Sequence, residues 1–567
     1  MQARSLRAVP VLKALPLAVV LALPALAGAQ SFASGDLIVS GSVYQDVGQA
    51  ATLSAGSLLA PSSAGGANTV ATGNGQFQNV FLNAGADGSF GVTSQIFLQD
   101  YSLGGAAANL NAQYNIDPGA AVGSFSSKSE LGLNLSSDGT ALTFMAYSPT
   151  QSFASTGTGG VAAVTTGGSN NLGLLDISNS NTPGVVDPTN PVNSQAYRTV
   201  VQVNLNQMSA TATGTAGVYN LTGGVQTTQT NAYSGNNGRA AVLINGQYYM
   251  VGNAGNGAKN SSVLTQLAQT TGVQTIAAGA TNPNTTVVGA CTGTNSSGAG
   301  YQCGYSYSPT DKTGKDNNFR GLAVYNGTMY VSKGSGGNGL NSVYSVSGYT
   351  NPSTASVSVT PGFTTTASTN TGYTGAPFGI WQANATTMYV AYEGDGKEAS
   401  ATSGVSTGPS GSMGGLAKYT LSNGSWALDY LVQNGLNTSF ASTAVGGGDG
   451  MVYTDGLRNL TGRVNADGTV TLYAVTSTVT NTSTNAAWDQ GANADQIVSL
   501  TDTLSNTRLA GANTFSVVET STGGEVFRGV ALAPSVAAAV PEPESYALML
   551  AGLGVIGGSV LRRKRRG

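Results

Sequence analysis

One local pattern recurs five times and limits what the chain can fold into: a β-prone run, a tight turn, and a second β-prone run. It appears in LGLNLSSDGTALTFMAYS from Leu131, AAVLINGQYYMVGNAGNG from Ala240 and GLAVYNGTMYVSKGSGGNG from Gly321. It appears again in FGIWQANATTMYVAYEGDG from Phe378 and TGRVNADGTVTLYAVTS from Thr461. Asn-Gly and Asp-Gly tolerate the positive φ that a two-residue hairpin demands, so each stretch predicts an antiparallel pair. Third strands are expected at 171–178, 342–346, 414–421 and 495–502. Fourth strands are expected at 424–432 and 513–519. Four antiparallel strands per unit, repeated, predict an all-β propeller.

Ring closure is also legible. VFRGVALAP at 526–534 resembles the unit-opening NFRGLAVYN at 318–326 but has no hairpin partner after it. DLIVSGSVY at 36–44 is the candidate partner, and 79–102 would complete the shared blade. Such closure removes edge strands that invite aggregation. The expectation is six four-stranded blades, with room for a seventh between 145 and 238. A β-solenoid is the rival, but the 20–30-residue period it needs is not seen.

The two ends differ from the body. Arg4, Arg7 and Lys13 precede an apolar stretch, and Ala27-Gly28-Ala29 follows it. This predicts a signal peptide over 1–29, cut by signal peptidase between Ala29 and Gln30. The body is expected over 30–535 and a tail over 536–567. In the tail, 546–561 holds 16 uncharged residues, short of the roughly 20 of a comfortable bilayer span. Arg562, Arg563, Lys564, Arg565 and Arg566 follow, and such a cluster stays cytoplasmic. Of the chain's 22 Lys and Arg the ends hold eight, and of its 25 Asp and Glu two, leaving a body of net −9. An acidic body argues against nucleic-acid binding.

Val540, Pro541, Glu542 and Pro543, the short apolar run and the basic cluster together resemble the PEP-CTERM sorting signal of Gram-negative bacteria. The resemblance implies that exosortase, a membrane-embedded protease-transpeptidase, processes the tail near Pro-Glu-Pro. Anchoring in the inner membrane would then be transient, before delivery to the cell surface or an exopolysaccharide matrix. Segments 416–432, 459–477 and 527–534 resemble a recurring group of exported PEP-CTERM proteins expected to be propellers.

Chemistry is constrained by composition. The chain has no histidine, which excludes Ser-His-Asp and Cys-His sites and every His-ligated metal. Carboxylate chemistry is left, with Glu393 and Asp395, Asp449 and Asp455, and Glu525 beside Arg528 as candidates. Polar turn residues in solvated loops are the preferred reading of each. No cofactor is expected; calcium at EGDG and GGDG is the one metal left open, and their spacing matches neither an EF-hand nor a nonapeptide repeat. Cys291 and Cys303, the only cysteines, are expected to form a disulfide in an exported protein. Trp381 and Trp426 fall on expected strands and read as packing residues. Trp488, in an expected loop, is the candidate for stacking on a sugar. A non-enzymatic surface or matrix protein is the favoured reading. The alternatives are a carbohydrate-binding propeller and a carboxylate-dependent polysaccharide hydrolase or lyase.

Overall fold

The computed structural model describes residues 32–534, less loop segments of which the longest are 72–90, 150–170, 186–194, 255–270, 304–317, 366–375, 395–413, 442–450 and 481–491. Hairpins form where the turn residues demand them. Asn245-Gly246, Asn326-Gly327 and Asn423-Gly424 all take positive φ at both positions, between 46° and 78°. That geometry suits the right-handed twist of the flanking strands. It fixes the registers Ile244 opposite Gln247, Tyr325 opposite Thr328 and Ser422 opposite Ser425.

Four sheets have four antiparallel strands in sequence order or close to it. The first holds Asn134–Leu135, Ala141–Tyr147, Arg198–Asn204 and Val225–Thr230. The second holds Gly238–Ile244, Gln247–Gly252, Gln274–Ala277 and Thr286–Val287. The third holds Phe319–Tyr325, Thr328–Lys333, Ser342–Ser347 and Ser356–Val359. The fourth holds Pro377–Asn384, Thr387–Tyr392, Gly415–Ser422 and Ser425–Val432. A fifth runs Met451–Val464, Thr469–Thr480, Gln496–Thr503 and Ser516–Thr520, with Ser439–Ala441 added beside the first of these.

The remaining large sheet joins the two ends of the chain. Leu37–Val43 pairs on one side with Glu525–Leu532, from Leu37 opposite Leu532 to Val43 opposite Glu525. On its other side it pairs with Thr93–Ser102, which in turn pairs with Asn109–Asn115. A hairpin of Ser209–Ala212 and Val218–Gly223 then adds parallel to Asn109–Asn115, with the Tyr114 and Tyr219 rings stacked 5.7 Å apart. This hairpin covers an edge strand that would otherwise be open.

Neighbouring sheets touch all the way round. The Tyr249 and Tyr349 rings meet edge to face at 5.1 Å between the second and third sheets. Tyr389 donates to Asp502 at 2.5 Å between the fourth and fifth. Ser40 donates to the Leu131 carbonyl at 2.6 Å, linking the composite sheet back to the first. Between sheets the core is apolar, with Val251, Val331, Met388, Val390 and Val475 excluded from water. The arrangement is all-β and propeller-like.

Several expectations are corrected. Among the described residues five sheets have the four- or five-stranded form of a blade; the composite has seven strands, counting the short Gly123–Ser124 beside Thr93–Ser102, and is not an equivalent unit. The strands between 145 and 238 belong to the first sheet and to the composite, so they make no seventh blade. Residues 171–178 are not a strand. They form an irregular segment ending in the single 3-10 turn Ile177–Asn179, with Asn171 and Asp176 at positive φ. Arg198–Asn204 takes the expected third place instead. Among the described residues no helix is long and apolar enough to cross a membrane, and 546–561 lies outside them.

The irregular spacing of the units has one cause. Connections from first to second strand are tight, at 136–140, 245–246, 326–327, 385–386 and 465–468. Connections from second to third strand are mostly long, at 44–92, 148–197, 253–273, 393–414 and 481–495. One face of the ring therefore carries short turns and the other carries the long connections.

Candidate functional site: the central channel

The first strands of the five regular sheets, together with Glu525–Leu532, surround a channel. They come closest where one small residue stands on each: Gly132, Ala240, Gly321, Gly379, Asn459 and Gly529. A Cβ at Gly529 would lie 2.5 Å from both Leu131 O and Leu133 N. One at Gly379 would lie 2.5 Å from Arg458 O, and one at Gly321 would overlap Phe378 O. Gly132 and Ala240 form a parallel bridge. Asn459 closes the last gap by accepting from Val530 N–H at 2.6 Å. Glycine is required here for close backbone approach.

On the long-loop side of this waist, the residue before the small one is often arginine: Arg239, Arg320, Arg458 and Arg528. Carboxylates answer them. Glu393 accepts from Arg320 and, at 3.1 Å, from Arg458 Nε. Asp495 pairs with Arg528 at 3.4 Å and accepts from Phe527 N–H at 2.8 Å. Arg239 donates to Ser129 and lies in the field of Glu130. Burial dominates the electrostatics. It lowers the Arg239 and Arg458 guanidinium pKa values to about 10 and raises Glu130 to about 7 and Asp495 to about 6. The ring ties blades together through charge-assisted bonds.

On the short-turn side the channel widens into a cavity of about 660 Å³, within the range of small-molecule sites. Its wall combines Leu, Ile and Val side chains with the polar Ser34, Asn134, Ser137, Gln382 and Thr461; Trp381 and Tyr325 are its aromatics and Arg463 its one charged residue. Trp381 is half-buried, tilted against Tyr389 with ring centroids 6.1 Å apart. Gly462 lies beneath it: a Cβ there would sit 3.2 Å from Trp381 Cδ2.

Sequence reasoning placed some of these residues wrongly. Glu393, Asp455 and Arg528 are not in solvated turns; Asp455 and Arg528 are buried and Glu393 nearly so. Glu525 is half-buried and accepts from Thr522 Oγ1 at 2.5 Å. Trp426 is buried in the core, edge-on to Tyr330, as expected. Trp381 was missed as a channel residue, because strand periodicity does not reveal that a first strand lines a channel. Asp395, Asp449, Trp488, the Ala29–Gln30 junction, Val540 to Pro543 and Arg562 to Arg566 lie outside the described residues. Cys291 stands directly opposite Cys303 in the hairpin Cys291–Thr294 and Tyr301–Cys303. Among the described residues no group of three or more acidic or cysteine ligands forms a metal site.

The chain is thus a propeller-like all-β protein with a wide channel mouth on its short-turn face. Residues 539–566 match the family model described as the PEP-CTERM protein-sorting motif, the recognition signal for exosortase processing, so the chain is an exported, membrane-transiting protein carrying that motif. No curated protein matches it. Among solved structures it is similar to a hypothetical selenium-binding protein from Sulfolobus tokodaii, at 8% identity and a TM-score of 0.36, over 88% of this chain and 94% of that one. It is also similar to an endosialidase of phage phi92, at 10% identity and a TM-score of 0.26, over 75% of this chain and 56% of that one.

Proposed function

We propose that the chain is a non-enzymatic exported protein of the cell surface or extracellular matrix, and that its channel mouth is a binding pocket. Signal peptidase and exosortase process the two ends, and exopolysaccharide is the surrounding medium. The observation that carries the binding role is the lining of the mouth: aliphatic side chains, two aromatic rings, one arginine and the polar Ser34, Asn134, Ser137, Gln382 and Thr461. A hydrolase would present paired carboxylates there. The channel's acids instead sit across the waist, with Glu393 and Asp495 engaged by arginines. Cys291 and Cys303 are joined in the exported protein.

A carbohydrate ligand is the second reading. Trp381 and Tyr325 favour it, because half-buried aromatic faces suit sugar rings. The test is binding of matrix oligosaccharides and of small aromatic or aliphatic compounds, followed by isothermal titration calorimetry, with wild type beside Trp381→Ala. Saturable binding that the substitution abolishes supports the pocket, and the ligand series separates the two readings. No binding by any class would overturn it.

A further inference from the structure

We infer that the channel mouth is occupied in the precursor by the chain's own segment 535–544, SVAAAVPEPE, which leaves the body at the rim and folds back inside. This occupancy rests on the reading of the mouth as a binding pocket and names its first occupant. The end of the body is fixed at the rim. Ala533 N–H donates to Asp36 O at 2.8 Å, and Gly35 N–H donates to Ala533 O at 3.0 Å. Pro534 follows, packed against the 136–140 turn: a Cβ on Gly139 would sit 3.5 Å from Pro534 Cβ. Ala533 and Pro534 both line the mouth, so residue 535 starts there.

Length and chemistry both fit. A sphere of 660 Å³ is about 11 Å across, and residues 535–542 reach up to ~26 Å when extended. Val536, Ala537, Ala538, Ala539 and Val540 offer small apolar side chains to Leu133, Leu135 and Val324 of the wall. Pro541 and Pro543 favour the extended polyproline conformation, and segments of that kind dock in aromatic-lined grooves. Trp381 and Tyr325 supply the rings. Glu542 and Glu544 bring negative charge to Arg463. Arg463 is exposed, has no carboxylate partner among the described residues, and is the mouth's one charged residue. An extended segment also carries backbone N–H groups that need acceptors. Gln382, in the wall, provides one: its Oε1 is shut away from water and accepts from no described residue. A ligand arriving from outside has to displace the segment.

The test uses the full chain with its native cysteines, from a host whose exosortase is inactivated, with a benzophenone amino acid in place of Val540. No ligand is added, so the result is independent of the calorimetry that tests the pocket. After irradiation the expected product is a cross-link within one chain, from position 540 to a peptide carrying Trp381, Gln382 or Arg463, located by mass spectrometry. Arg463→Glu should lower its yield about fivefold, as the loss of one exposed ion pair allows. Adding Glu542→Arg and Glu544→Arg to that variant should restore the yield. Cross-links only to lipid or to other chains, none at the mouth, or a yield that Arg463→Glu leaves unchanged overturns the inference. If calorimetry still finds a ligand in that case, the pocket stands and only its first occupant falls.

Discussion

Lys418 Nζ lies 3.0 Å from Asp502 Oδ2, and both side chains are shut away from water. The pair joins the fourth sheet to the fifth. Lys418 also donates to the carbonyls of Thr503, Leu504 and Asn506 at 2.8 to 3.0 Å. Asp502 accepts from Tyr389, Tyr430 and Asn513. Burial alone would raise the Asp502 pKa, but those hydroxyls, the ammonium and the amide hold it below the ordinary carboxylate value. Its contribution to stability is therefore present above the unfolded value near 4 and lost as pH falls through the folded one. Lys418→Met strands a buried carboxylate and should cost about 3–5 kcal/mol in urea unfolding at pH 7. A cost below about 1 kcal/mol would show that the pair does not hold the sheets together.

Asp36 and Asp100 have the opposite sign. Both are buried, and the Asn111 amide donates to each, at 3.1 and 3.3 Å. Burial, and then the charge of Asp36, raises Asp100 to about 6. Between about pH 4 and 6 the folded protein keeps a proton that the unfolded chain has released, so stability falls as pH rises through that window. Asp100→Asn, which needs no proton, should flatten this part of the pH–Tm curve and raise Tm at pH 7 relative to wild type. An unchanged slope between pH 4 and 6 would locate the proton elsewhere.

The sequence carried the local part of this fold because hairpin turns are local. Asn245-Gly246 and Asn326-Gly327 declare their backbone conformation, and the alternating Tyr, Val and Met beside them declare the strands. Closure was legible because 526–534 repeats 318–326 without a partner. The third strand of the first sheet was not. LGLLDIS at 172–178 has β-prone composition, yet Leu172, Leu174 and Leu175 are buried without joining a ladder. The Glu393–Arg458 pair was hidden for a different reason: 65 residues separate its members. Nothing in EGDG distinguishes a carboxylate bound for the channel from one in a solvated turn.

Cys291 opposite Cys303 in an antiparallel pair predicts a chemical state. The exported protein should have a mass about 2 Da below that of the reduced form. Closing so short a loop stabilises by about 3 kcal/mol in the chain-entropy model. Reduction should therefore lower Tm measurably, and Cys303→Ser should match the reduced wild type. A native mass equal to the reduced one would rule out the bridge.

The glycine waist makes the sharpest structural prediction. At Gly529 an added methyl meets Leu131 O and Leu133 N at 2.5 Å, and both belong to backbone that cannot rotate away. The neighbouring strand would have to move outward, breaking the Ser40-to-Leu131 hydrogen bond and loosening the seam where the ring closes. Gly529→Ala should therefore cost more than the 1–3 kcal/mol usual for overpacking a core. Gly511→Ala is the control, since an added Cβ there meets nothing within 4 Å. It should stay within about 0.5 kcal/mol of wild type, as surface changes do. Equal thermal stability of the two variants would mean that the strands do not need their close approach at the waist, and that closure rests on the Leu37–Leu532 ladder alone.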